Sequence, residues 1–295
     1  MIWTPGKIKA DKNDLMNILT ESFLYDRFRL LMINQFKWTG LDDFNFNERH
    51  IENFLFDNGS CLLFEDKTDG LFCLPCFGRK QNVYGDYLTY DATGFGRTFK
   101  NIRAEDAVLI ENNKMRMPTE KAVLYFVAQL YELVRSKDVN IKQLKLQTLF
   151  TATDENVLTV KKIIDDIDNN NWAVIVDKTM QLDDIVKAIP TGVKCLTAEY
   201  RDEYNATMNE ALTYFGINNS NTDKRERLIT DEANANNQLI DSCAEMFLES
   251  RTRSVEEAKE KFGDRYDLSN FGVELRNKRE EVQQNDNNEP TQVTA

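Results

Sequence analysis

Two stretches, 118–138 and 196–216, carry apolar side chains at three- and four-residue spacing, and this pair of long amphipathic helices constrains the fold most. The first opens at Pro118-Thr119-Glu120, with proline where its missing N–H costs least. Val123, Val127, Leu130 and Val134, with Phe126 and Leu133 beside them, form its inward stripe, which fades by about Lys137. The second sets Leu196, Tyr200, Tyr204, Met208 (or Thr207), Ala211 and Phe215 on one side, and Gly216 stops it. Its other side carries Glu199, Asp202, Glu203 and Glu210, with Arg201 as the only base.

The segment between them reads as α/β. Leu144, Leu146 and Thr148 alternate as a strand, Asp154 to Asp168 is helical, and Ala173-Val174-Ile175-Val176 is a second strand. Leu182 to Ile189 reads as a short helix ended by Pro190 and Gly192. Upstream, residues 11–36 place Leu15, Ile18, Leu19, Ser22, Phe23, Phe28, Leu31 and Met32 at helical spacing, with Asp11 as N-cap. A short helix over 51–56 ends near Asn58-Gly59. From Gly59 to Ile110 the texture changes to short apolar runs, Cys61–Phe64, Leu71–Phe77, Val83–Tyr90 and Ala107–Ile110, separated by turn residues. This predicts a small antiparallel β unit. Residues 217–238 are Asn-rich and charged without apolar periodicity, which predicts a loop. Helix resumes through Leu239, Ile240, Cys243, Met246, Phe247 and Leu248, and a charged stretch follows from Ser254 to Phe262. After Glu280 the tail is acidic and nearly devoid of apolar residues, so disorder is expected there.

Charge and composition narrow the function. With 37 Lys+Arg against 49 Asp+Glu, the net charge of −12 is the opposite of what a DNA-gripping or nucleocapsid protein needs. No apolar run approaches a membrane span and the N-terminus lacks a signal-peptide core, so a cytosolic protein, or one of a particle assembled there, is expected. Five scattered cysteines do not suggest a disulfide framework. Cys73-Leu74-Pro75-Cys76 has zinc or redox spacing but no second cysteine pair, and the single histidine, His50, stands apart from it. Packed thiols are the expectation. One histidine also excludes most Ser-His-Asp and Cys-His schemes. The pairs Asp165-Asp166 and Asp183-Asp184 could ligate Mg²⁺, yet neighbouring helical positions point about 100° apart and read as solvated faces. Gly94-Phe95-Gly96 lacks the third glycine, Lys or Ser/Thr of a phosphate loop. No catalytic residue, cofactor or metal is assigned.

Residues 209–221, NEALTYFGINNSN, followed by Lys224-Arg225-Glu226-Arg227-Leu228-Ile229-Thr230-Asp231-Glu232, closely resemble the stem-to-channel-loop segment of upper collar proteins of picovirus-type short-tailed phages. The likeness continues in Asn234, Asn237, Ile240, Phe247-Leu248 and Ser250-Arg251. Met117-Pro118-Thr119 and the Gly59–Glu111 β unit fall in the same order upstream, so it spans roughly 15–280.

The resemblance implies a portal (head–tail connector) subunit, mainly α with α+β parts, forming a dodecameric ring at the head–tail vertex of a virion assembled in the host cytoplasm. It implies a wing from 1–117 and 239–280, stem helices 118–138 and 196–216, an α/β clip 139–195, a tunnel loop 217–238 and the tail 281–295. Genomic DNA would be packaged and ejected through the ring. Its partners would be the packaging ATPase, capsid and scaffold proteins, lower collar and tail proteins and, in some members, a structural RNA, with no membrane. Lys224, Arg225 and Arg227 would touch DNA, while Glu199, Asp202 and Glu203 would face the tunnel. Relatives carry tunnel lysine rings near the start of this stem helix; here Lys187 and Lys194 are the nearest substitutes. Two other readings come from the residues: an intracellular helical adaptor binding protein partners, and a thiol enzyme using Cys73 or Cys76.

Overall fold

The computed structural model describes residues 12–94, 96–145, 148–151, 158, 161, 165, 187–190, 192–219 and 230–276. The chain divides into two compact units, one of residues 1–29 and 120–244, the other of 30–119 and 245–295. Helices and antiparallel sheets make both, in keeping with the expected α+β class.

The unit of 30–119 and 245–295 contains the β structure. Helix α2 (Glu48–Asn58) starts on a capping box: His50 N donates to Asn47 Oδ1 at 3.2 Å and Asn47 N donates to His50 Nδ1 at 3.2 Å. Thus the lone histidine is a helix cap. Gly59 closes α2 at φ 78°, where a Cβ would lie 2.2 Å from the Arg116 carbonyl oxygen. Strands β2 (Ser60–Asp66), β3 (Gly70–Leu74) and β7 (Ala107–Glu111) form one sheet in the order β3-β2-β7. Strands β4 (Cys76–Gln81), β5 (Tyr87–Gly94) and β6 (Arg97–Arg103) form a second in sequence order. One face of the first sheet, with Cys61, Leu63, Cys73, Val108 and Ile110, packs on Ile51 and Leu55 of α2 and on Val255, Ala258 and Phe262. Its other face, Leu62, Phe64 and Ala107, meets Tyr90 and Ala92 of the second sheet. A two-stranded sheet pairs β1 (Phe36–Thr39) with β10 (Gly272–Leu275).

In the unit of 1–29 and 120–244, Leu24 and Phe28 of α1 (Lys12–Ile33), Val123, Phe126, Val127 and Leu130 of α3 (Thr119–Lys145) and Met208, Ala211 and Phe215 at α4 (Thr197–Tyr214) are buried. Phe215 is central to this core, with ring centroids 6.0 Å from Phe28 and 5.9 Å from Phe126. The long helix α5 (Thr230–Phe262) contributes Ile240 and Ala244. Strands β8 (Thr148–Thr151) and β9 (Lys187–Pro190) pair antiparallel within the chain.

Several local expectations are corrected. On α1 the buried line is Leu24, Phe28 and Met32, whereas Ile18, Leu19 and Phe23 are exposed, because that helix is apolar on two faces. The run Leu71–Phe77 is two strands in different sheets, broken at Pro75, which cannot donate to a ladder. Val83 and Tyr84 stand on an exposed turn, and the polar strand β6 carried no apolar alternation to reveal it. Helix α3 runs on to Lys145 and takes in Leu144. Residues 187–190, expected to end a helix, form β9. Residues 230–238 belong to α5, as does the charged stretch to Phe262, so one 33-residue helix replaces the end of the expected loop and two helical pieces. Asp11, the strand at 173–176 and the tail 281–295 lie outside the described residues.

Candidate functional site

The expected tunnel-facing carboxylates fall together on α4. At about 100° per residue, Asp202, Glu203, Ala206 and Glu210 lie within about 60° of Glu199, and all five are exposed. The buried residues Met208 and Ala211 are turned away from this stripe, and Thr207 lies at its edge beside Glu203. Arg201 sits outside it, and its Nε is 3.7 Å from Asp202. The result is a helix with one acidic face and one base. Glu199 in the first turn also suits the positive end of the helix dipole. Glu203 borders an open groove with Ala128, Gln129, Glu132 and Leu133 of α3.

The entry to this helix is fixed by a residue that sequence reasoning missed. Asn140, buried on α3, donates from Nδ2 to the Lys194 carbonyl at 2.9 Å and accepts at Oδ1 from Leu196 N at 3.1 Å. Both groups of one amide therefore hold the backbone before α4, while the Lys194 side chain is exposed. Nothing in the local pattern marks Asn140; only its place on the inward face of a helix longer than expected could have done so. Lys187 lies on β9 opposite Thr151.

The exit of α4 is a Schellman motif: Ile217 N donates to Leu212 O at 2.8 Å and Gly216 N to Thr213 O at 3.0 Å. Gly216 has φ 70°, and a Cβ there would lie 2.4 Å from Ala244 N on α5. Glycine is required twice over at that position, by conformation and by contact. Lys224, Arg225 and Arg227 lie outside the described residues.

Cys61, Cys73 and Cys76 do not form a reactive site. Cys73 Sγ lies 3.3 Å from Cys61 Sγ, and both are buried. Burial, reinforced by the contact with Cys73, pushes the Cys61 thiol well up, and burial pushes Cys76 up to about 12, the reverse of nucleophile activation. Asp165 is exposed, and Asp166, Asp183 and Asp184 lie outside the described residues. Among the described residues there is no group of three potential metal ligands, and no helix is long and apolar enough to cross a membrane.

A second polar constellation lies in the unit of 30–119 and 245–295. Arg251 Nε and a terminal nitrogen donate to the two oxygens of Glu52 at 3.0 and 2.9 Å. The remaining guanidinium donors reach Asn112 O at 3.0 Å, Asn112 Oδ1 at 3.0 Å and Phe247 O at 3.1 Å. The Phe36 ring lies 4.0 Å from the guanidinium carbon, and Trp38 Nε1 donates to Glu52 at 2.7 Å. Arg251 thus acts inside the protein, where it locks the fold.

A family model described as Phage Connector (GP10) matches residues 4–278. The chain belongs to the phage connector family. Two solved structures are similar to it. One is the portal and tail of native bacteriophage P68, with a TM-score of 0.47, 15% identity and 94% of each chain covered. The other is an HK97 family phage portal protein from Corynebacterium diphtheriae, with a TM-score of 0.46 and 9% identity, covering 90% of this chain and 94% of that one. Membership of the connector family decides against the adaptor reading. It implies a structural protein of the head–tail vertex, in an oligomeric ring that meets capsid and tail components.

Proposed function

We propose that twelve copies close into a ring whose channel passes double-stranded genomic DNA during packaging and ejection. The family match over 4–278 carries this reading. In it, 118–138 and 196–216 are the stem and the segment 217–229, which ends where α5 begins, the tunnel loop, with Lys224, Arg225 and Arg227 touching DNA non-specifically. Residues 139–195 form a clip that docks the packaging ATPase, joined in some relatives by an RNA, and later the lower collar and tail proteins. The wing, 1–117 and 239–280, meets capsid and scaffold proteins.

The acidic face of α4 supports a channel wall that lets phosphate slide. Exposed carboxylates repel the DNA backbone, and at physiological salt that repulsion is short-ranged, about 8 Å, which suits a close-fitting tube. Lys187 and Lys194 would supply localised attraction near the start of this wall. Negative-stain images of the purified protein should show rings with a central hole, and native mass should be about 410 kDa for twelve copies of 34.3 kDa. A monomer or dimer at every salt and protein concentration would overturn the reading.

A further inference from the structure

The hairpin of β4 and β5 ends in an ordered turn that holds two apolar side chains in water. Asn82 Oδ1 accepts from Tyr84 N and Asp86 N, both at 2.9 Å, while Asn82 N donates to Asp86 O at 2.9 Å and Gly85 N to Asn82 O at 3.1 Å. Arg116 braces the turn through Asp86 at 3.7 Å. Yet Val83 and Tyr84 are 92% and 88% exposed. The sheet behind them is basic: residues 76–103 hold five bases (Arg79, Lys80, Arg97, Lys100, Arg103) against Asp86 and Asp91, a net +3 in a chain of −12. Lys80 is exposed and has no ion pair among the described residues. The same unit carries a cleft of about 230 Å³, where the half-buried rings of Phe44 and Tyr266 stand 6.4 Å apart beside buried Leu71 and three carboxylates, Asp43, Asp69 and Asp267. Asp69 is paired with Arg97 and Asp267 holds Ser269, whereas Asp43 is exposed and has no ion pair among the described residues. Arg97 stands opposite Gly94, the last residue of β5, so the cleft and the turn lie at opposite ends of that strand, about 23 Å apart along it. One copy cannot close its own turn on its own cleft.

We infer that the turn 82–86 of one copy docks in the cleft of the next, with Tyr84 entering beside Phe44 and Tyr266 and Lys80 meeting Asp43. The inference rests on the proposed ring and names one contact that closes it. Two unlike patches at opposite ends of one molecule make a head-to-tail contact, the kind that a cyclic ring repeats. The cleft is smaller than the roughly 300–1,000 Å³ of a site for a drug-sized ligand, and its scale suits a single large side chain. A phenol fits its chemistry, since the ring meets apolar walls while the hydroxyl can donate to carboxylates that only accept. A side chain presented on an ordered turn gives up little freedom on docking. The charges agree too: a basic hairpin on an acidic protein is drawn to a carboxylate-lined cleft and rejects a wrong approach.

A photoreactive benzophenone residue in place of Tyr84 supplies the direct test, in rings assembled from isotopically light and heavy copies. Cross-linked peptides should join position 84 of one copy to residues 43–45 or 266–267 of the other. Tyr84→Ala should raise the concentration at which half the rings dissociate about 30-fold, as for an aromatic at the centre of a contact, with the thermal midpoint of the dissociated subunit unchanged. Lys80→Asp and Asp43→Lys should each raise it about 10-fold, and the two together should return it to within about 3-fold of wild type. Both positions are exposed, and aspartate tolerates the φ of 51° at position 80. Rings whose cross-links from position 84 fall elsewhere, or whose dissociation none of these variants moves, would overturn the contact and leave the ring standing. Cross-links from position 84 only to capsid or scaffold proteins in proheads would overturn it as well, by giving the turn a different partner. A double reversal no better than the single ones would overturn the pairing of Lys80 with Asp43. A wild-type protein that stays monomeric and gives no cross-link between light and heavy copies would overturn the ring and the contact together.

Discussion

In the unit of 30–119 and 245–295, a guanidinium and a carboxylate sit together at 2% exposure each, whereas α4 in the other unit spreads four carboxylates along an open face. The buried pair survives only because each donor and oxygen has a partner: Glu52 accepts from Arg251 and Trp38, and Arg251 reaches two carbonyls and an amide besides. The α4 carboxylates are hydrated and contribute little to folding. One arrangement holds a structure in place, and the other makes a surface that a polyanion will avoid. Identical chemical groups thus separate into buried architecture and hydrated surface according to their solvent.

The sharpest way to break this contrast is to remove half of the buried pair. Glu52→Ala leaves a buried cation without its counter-ion and should cost about 3–5 kcal/mol, lowering the thermal midpoint by roughly 10 °C. Replacing both Glu52 and Arg251 with methionine should cost less than Glu52→Ala alone. A loss under about 1 kcal/mol in the single variant would show that the pair is solvated after all.

High pH tests the same unit through its thiols. Folded Cys61 and Cys76 hold their protons above the ordinary value of 9.0, so their contribution is complete below pH 9 and is lost as pH rises through the folded values, for Cys76 towards about 12. Each such thiol adds a fall of up to about 1.4 kcal/mol per pH unit over that window. Chemical denaturation between pH 8 and 10.5 should show a shallower decline in Cys76→Ala than in wild type, and parallel curves would refute the assignment.

The smallest stability effect belongs to the open face. Glu199→Lys, Asp202→Lys and Glu203→Lys should each change folding by no more than about 0.5 kcal/mol. Together they should make isolated rings retain duplex DNA at low salt and release it as salt rises. Rings that ignore DNA in both forms would reduce the acidic stripe to ordinary solvation.

What could be read from sequence follows the same division. Helices α2, α3 and α4, the glycine stops of α2 and α4 and the inward lines on α3 and α4 show in the apolar spacing, because burial on one side leaves a period. The acidic stripe was visible as well. The strand β6 was not, since an edge strand of Arg, Thr, Lys and Asn buries little. Residues 230–238 escaped because an Asn-rich helix start has no apolar face to reveal it. Residues 187–190 are too short and mixed for helix and strand to be told apart. Arg251 and Asn140 carry no local signal at all, because each depends on a partner far along the chain.

The pairing of β1 with β10 has a consequence in time. Lys37 meets Glu274 across 237 positions, so the strand at Phe36–Thr39 is synthesised long before its neighbour. Until Gly272–Leu275 leaves the ribosome, that strand has an open edge, and Glu52 waits equally for Arg251. Synthesis through Leu275 therefore precedes the finished unit, and a polypeptide still short of it cannot offer a neighbouring subunit the surface that the finished one does.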